Sequence, residues 1–238
     1  MRSIFVGIEY AGKTTLIDLL QAYYYKRGRQ THNDDHFTIP DATLSPESRA
    51  AYIHYPNDVK ERMQRMQLHY HIDIIKNYPH PLIGGWHIEE AIYTAMYGHD
   101  PDHSYYPNYH YAFQRHYEVQ VLEARLPDVV LFHLTADDET IRERMQTAPH
   151  EYQIIKSQDI PELKQRFEAE LDQSLLKKGG RLVTLDTTGK TPEESLDELL
   201  LKSEPLVTDG EMAMRAVAIP EGDLEIRYEN GVRKMISG

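Results

Sequence analysis

Residues 7 to 14 read Gly-Ile-Glu-Tyr-Ala-Gly-Lys-Thr, a spacing that can wrap the backbone around a chain of phosphates. Gly7 and Gly12 free the backbone to curl, so that N–H groups around Ala11 and Gly12 turn inward toward anionic oxygens. Lys13 adds a point charge for the terminal phosphates, and the Thr14 hydroxyl can ligate a magnesium ion, with Thr15 beside it. The implied ligand is a nucleoside triphosphate, ATP, taken with Mg²⁺. Around the loop, the apolar run Ser3-Ile4-Phe5-Val6 reads as a strand. Leu16, Leu19, Leu20, Tyr23 and Tyr24 then recur at helical spacing up to Gly28. A strand leading into the loop and a helix leaving it is the setting this motif needs, because the helix presents its positive end to the same anion.

The elements that must hold this loop follow in alternation. Asp128 to Leu134 is nearly all apolar, as a strand covered on both faces must be. Arg29–His32, Pro81–Ile83 and Arg181–Leu185 read as further strands. Residues 46–78 (broken near Pro56), 88–97, 109–125, 137–146, 159–178 and 192–202 read as helices. Within 57–78, Val59, Met63, Met66, Tyr70 and Ile74 share one face. The fold expected is α/β: a P-loop NTPase fold with a five-stranded parallel sheet wrapped by helices. The domain would span 1–203. An extension, 204–238, carries a C-terminal β-hairpin turning at Asn230-Gly231, with Ile226 opposite Met235 and Tyr228 opposite Arg233.

Composition bounds the function. Against 26 Lys and Arg stand 38 Asp and Glu, a formal net charge of −12, and no basic stripe interrupts it. A nucleic-acid polymer is therefore a poor partner, and a small-molecule acceptor the plain expectation. No apolar run approaches the ~20 residues that cross a bilayer, so no membrane partner is expected. With no cysteine, disulfides and thiolate chemistry are excluded, which fits a cytoplasmic protein.

The order of motifs resembles the thymidylate kinase and deoxynucleoside kinase group of P-loop phosphotransferases. The first loop is followed by Pro40-Asp41-Ala42-Thr43, by Pro127-Asp128-Val129-Val130-Leu131-Phe132 and by Arg142-Glu143-Arg144-Met145. Leu185-Asp186-Thr187-Thr188-Gly189-Lys190-Thr191-Pro192 closes the series. The likeness covers roughly 1–202. It implies that Gly7, Ala11, Gly12, Lys13, Thr14 and Thr15 hold the triphosphate and that Thr14 meets the metal. It places Glu9 near the acceptor, makes Arg144 a lid arginine that clamps the transferring phosphoryl group, and has Lys190 lie in the segment that wraps the adenine. Arg142, Lys156 and Arg166 are further lid candidates, although 147–153 contain neither Lys nor Arg. The relatives' dimers make a homodimer an expectation here.

Two departures stand out. Ile39 occupies the place of an acid in the turn after the second strand. The family's Asp-Arg pair after the third strand is replaced by Trp86-His87, with Glu89 and Glu90 following. His87 is the candidate to replace the arginine, whereas Glu89 or Glu90 could supply the carboxylate only with a shift of the backbone. The aromatic connector 97–111 falls where the family builds its acceptor pocket, and its Tyr faces suit a nucleobase. Its His99, His103 and His110 are also candidate metal ligands. Three readings stay open: a nucleoside or nucleotide kinase, a kinase of the same fold with another acceptor, and a nucleotide-binding module whose catalytic residues have decayed.

Overall fold

The computed structural model describes residues 1–35, 44–98 and 121–217, together with the backbones of strands 224–229 and 232–237, which pair antiparallel. The turn at 38–43, the connector from 99, most of the helix expected at 109–125 and the tip of the hairpin lie outside the described residues.

Five strands form one parallel sheet: β1 (Ser3–Gly7), β2 (His32–Asp35), β3 (Pro81–Gly84), β4 (Val130–Thr135) and β5 (Leu182–Asp186). Their order is β2-β3-β1-β4-β5. All five residues of β1 are buried, and Phe5 stacks on Phe132 of β4 at 5.0 Å between ring centres. Helix α1 (Lys13–Tyr25) carries the chain from β1 out to β2, while α4 (His87–Tyr97) carries it from β3 across to β4. These crossovers run in opposite directions along the sheet, and right-handed connection therefore lays them on opposite faces. On the first face α1 packs against α8 (Pro192–Ser203); on the other α4 packs against α6 (Ile160–Gln173). The order reverses at β1, so a crevice opens at its carboxyl end.

Several boundaries differ from the sequence reading. The second strand lies at 32–35 rather than 29–32. It is an edge strand paired only with β3 and carries polar residues that find their own partners: Asn33 donates to Gln21 at 2.9 Å, and Gln67 donates to the Asp35 carbonyl at 2.9 Å. The expected break near Pro56 is present between α2 (Pro46–Ile53) and α3 (Asn57–Asn77). The long helix expected at 159–178 breaks at Ser174, whose hydroxyl caps the short α7 (Leu175–Lys178). Helix α5 (Asp138–Thr147) starts at Asp137, whose carboxylate accepts from the Thr140 N–H. Helix α9 (Asp209–Arg215) is fastened to the main body: Tyr24 donates to Glu211 at 2.7 Å, and Arg215 donates to the Leu200 carbonyl at 2.9 Å.

Candidate active site at the phosphate loop

The turn between β1 and α1 has no room for side chains where it passes the sheet. A Cβ on Gly7 would lie 2.1 Å from the Leu134 carbonyl oxygen, and Gly12 adopts φ 90°, which other residues rarely reach. Helix α1 begins with no side-chain cap and no acid in its first turn. Its leading N–H groups and the positive end of its dipole are thus left for an external anion. The Lys13 amine donates to the Gly7 carbonyl at 2.6 Å and lies 3.2 Å from a carboxylate oxygen of Glu89.

Glu89 reaches the loop through an unusual turn. After β3, Gly85 takes φ 76° and Trp86 takes φ 75°, a left-handed conformation that costs a bulky residue strain. Trp86 is thereby buried completely in the core, and the first turn of α4 carries Glu89 inward. Its Oε1 accepts from the Gly7 N–H at 2.9 Å, and its exposure is 1%. The turn at 85–86 thus leads into the helical turn that brings a carboxylate to the loop lysine.

His87, expected in place of the arginine, has its imidazole wholly buried, 2.8 Å from Glu123. Glu123 also accepts from the Ser174 hydroxyl and the Leu175 N–H. Burial pushes the Glu123 carboxyl up, but His87, Ser174 and the Leu176 N–H outweigh it and hold the group below its usual range. The pair joins α4 to the start of α7. The His87 ring lies 4.3 Å from that of Trp86, both within the core.

Glu9 is buried, and both its oxygens already have partners. One oxygen sits 2.5 Å from Nδ1 of His150, and the other accepts from the N–H groups of Ile154 and Ile155 at 3.0 and 3.1 Å. The Tyr10 ring stacks on His150 at 4.1 Å, and its hydroxyl accepts from the His150 N–H at 3.1 Å. The segment 148–155 is thus fastened over the phosphate loop. Arg144 comes from α5 and donates to the Tyr10 carbonyl (3.0 Å) and to Thr187 (3.0 Å), joining the loop to the turn after β5. By contrast, Arg142 and Arg166 pair with acids on their own helices at the surface.

These groups surround one cavity of about 450 Å³. It runs from Glu9, Lys13, Thr14 and Thr15, past Arg144 and His150, to Lys190, Pro192 and Ser195. Lys190 itself is tied to Glu198 at 2.6 Å. The cavity lining brings the cations Lys13, Arg144 and Lys190 and the hydroxyls of Thr14 and Thr15 together with the apolar Leu16, Ala148 and Pro192. That combination fits a nucleoside triphosphate. Among the described residues no cluster of three or more His, Asp or Glu could hold a metal by itself. A hydroxyl at Thr14 with phosphate oxygens suits Mg²⁺, which keeps most of its own water. The sequence alone did not single out His150 or Thr187; a lone histidine in a stretch without Lys or Arg, and a threonine after a strand, carry no local signal.

No protein-family model matches the chain, and no curated protein does. Solved structures do. The thymidylate kinase of Candida albicans aligns with a TM-score of 0.57 and 16% identity, over 85% of this chain and 90% of its own. A deoxyadenosine kinase from M. mycoides with bound dATP aligns at 0.55 and 16% identity, over 85% and 98%. The YorR protein of Bacillus subtilis, in complex with phosphorylated GDP, aligns at 0.54 and 13% identity, over 87% and 98%. The chain has the P-loop kinase fold. At such identities the likeness is one of fold, and what each relative binds is a property of that relative.

Proposed function

We propose that this protein is an ATP-dependent phosphotransferase that moves the γ-phosphoryl group of ATP to a nucleoside or a nucleoside monophosphate. The observation that carries this reading is the Lys13–Glu89 contact of 3.2 Å beside the Gly7 N–H. A module kept only to bind a nucleotide needs no buried carboxylate against the lysine that meets the phosphates. Phosphoryl transfer does, because the enzyme's task is to position charged groups before the reaction rather than during it. In this reading the loop N–H groups and Lys13 bind the phosphates, Glu89 holds Lys13 in register, and Arg144 faces the charge that develops. Lys190 and the turn at 186–190 border the adenine. Thr14 would hold Mg²⁺, which when bound neutralises phosphate charge.

The test is acceptor-dependent formation of ADP with ATP and magnesium across a panel of nucleosides and nucleoside monophosphates. Turnover lost in Lys13→Ala supports the reading. ATP binding with no turnover on any acceptor would make the protein a binding module. A second reading, the same transfer to a different small acceptor, draws support from Glu9, whose carboxylate is already occupied by Ile154, Ile155 and His150. A homodimer belongs to the proposal as well. Val59, Met66 and Tyr70 are apolar and exposed along α3, and light scattering at the monomer mass would overturn it.

A further inference from the structure

The Glu9–His150 pair has a geometry that fastening a lid does not require. Glu9 is 6% exposed, and its two oxygens accept from groups of one segment, the imidazole of His150 and the N–H groups of Ile154 and Ile155. With the other Glu9 oxygen accepting from two N–H groups, we assign the proton of the 2.5 Å contact to Nδ1 of His150. Stacking on Tyr10 fixes the plane of the ring. The imidazole has one other polar atom, Nε2, on the edge opposite Glu9. His150 is half exposed and lines the same cavity as Lys13 and Thr14. A carboxylate on one nitrogen and a place in the wall of the phosphate-loop cavity form an arrangement in which an imidazole can serve as a general base.

We propose that His150, held by Glu9, is the proton acceptor for a hydroxyl group of the second substrate, so that the acceptor is a nucleoside rather than a monophosphate. The proposal rests on the kinase reading above. A monophosphate acceptor arrives already ionised and needs no base at this position, whereas a sugar hydroxyl must lose its proton as it attacks. In the step, Nε2 takes the hydroxyl proton while the hydroxyl oxygen forms its bond to the γ-phosphorus. The bond from that phosphorus to the bridging oxygen breaks, and its electron pair leaves on the nucleoside diphosphate. The imidazolium so formed is stabilised by Glu9 and returns its proton to solvent.

The charged and titratable groups that share the cavity with His150 come from several elements. Glu9 and Tyr10 belong to the loop, Lys13 to α1, Arg144 to α5 and Lys190 to the turn after β5; on its own segment, Glu151 pairs with Arg49 of α2 at 2.8 Å. Burial pushes the Tyr10 phenol up, so Tyr10 stays neutral and does not compete as base.

The test compares the wild type with His150→Gln, using a nucleoside and its 5′-monophosphate as acceptors, with kcat and KM for ATP followed against pH. The expected result is transfer to the nucleoside, with a fall of kcat on the acid side that depends on His150. In His150→Gln, kcat with the nucleoside should drop by about 10²–10⁴-fold, KM for ATP should hold, and the acid limb should vanish. A variant that keeps both its kcat and the acid limb overturns the proposal. So does one that changes only KM for ATP or thermal stability, which would mark His150 as a lid fastener. Transfer confined to the monophosphate overturns it as well. Wild-type enzyme with no turnover on any acceptor instead sinks the kinase reading, and the base falls with it.

Discussion

A lysine amine shared between a glycine carbonyl and a buried carboxylate is held ready at one point in space, which is the form of assistance phosphoryl transfer needs most. Lys13→Ala should lower kcat by on the order of 10²–10³-fold or more, read by coupled detection of ADP. Glu89→Gln keeps the shape but removes the charge that holds Lys13. It should lower kcat by about 10²-fold while the protein still melts cooperatively. Equal loss of stability and rate in that variant would instead make Glu89 a packing residue. Gly7→Ala tests the loop itself. A Cβ 2.1 Å from the Leu134 carbonyl must push β1 from β4, and a loss of at least ~1–3 kcal/mol in urea unfolding is expected.

Among the elements, α8 shows how locally a helix end can be specified. The Thr191 hydroxyl accepts from the Glu194 N–H at 3.1 Å, and the Glu194 carboxylate accepts from the Thr191 N–H at 2.8 Å. Thr191→Ala should cost about 1 kcal/mol of stability without moving KM for ATP. Strand β4 carries a different liability. His133 stacks on Phe167 of α6, and burial pushes its imidazole down to about 4; Glu89 opposes that shift while Lys13 and Lys177 add to it. Burial also takes His80 down to about 4. In the unfolded chain both side chains protonate near the ordinary value of about 6.5. As pH falls from there toward 4, the unfolded state binds more protons, so stability is intact above that window and lost progressively within it. Urea midpoints should fall between pH 7 and pH 5, and less steeply in His133→Asn. An unchanged slope would remove His133 from the account.

For the molecule as a whole, the cavity is assembled from parts far apart in sequence: the loop at 7–15, α5 and the segment after it, and the turn leading into α8. A ligand that bridges them should stabilise the fold as a unit. At 100 times its Kd, ATP with magnesium should add about 2.7 kcal/mol, visible as a rise in melting temperature that Lys13→Ala abolishes. Absence of any shift in the wild type would argue against the cavity as the triphosphate site. Helix α9 extends the same logic to the chain's later residues. Tyr24, Glu211 and Arg215 tie it to α1 and α8, so Glu211→Ala should lower stability without touching KM for ATP.

How much was legible beforehand depended on whether the cause was local. The phosphate loop, the strand before it, the helix after it and the capped start of α8 are written in contiguous residues. Backbone freedom at glycine, hydrophobic period and side-chain capping act over a few positions, and a parallel sheet follows once strands alternate with helices; the order of its strands came only from the tertiary structure. Polar β2 was misplaced by three residues because an edge strand need not be apolar. The fate of residues 86–90 was decided only in three dimensions. Burying Trp86 forces a left-handed turn, which sends His87 to Glu123 and delivers Glu89 to Lys13. Likewise Glu9 and His150 are 141 positions apart, and only the folding of one segment over the loop makes them a pair. Spacing along a chain determines which groups can share a turn or a face; which distant groups share a charge is settled by how the core closes around them.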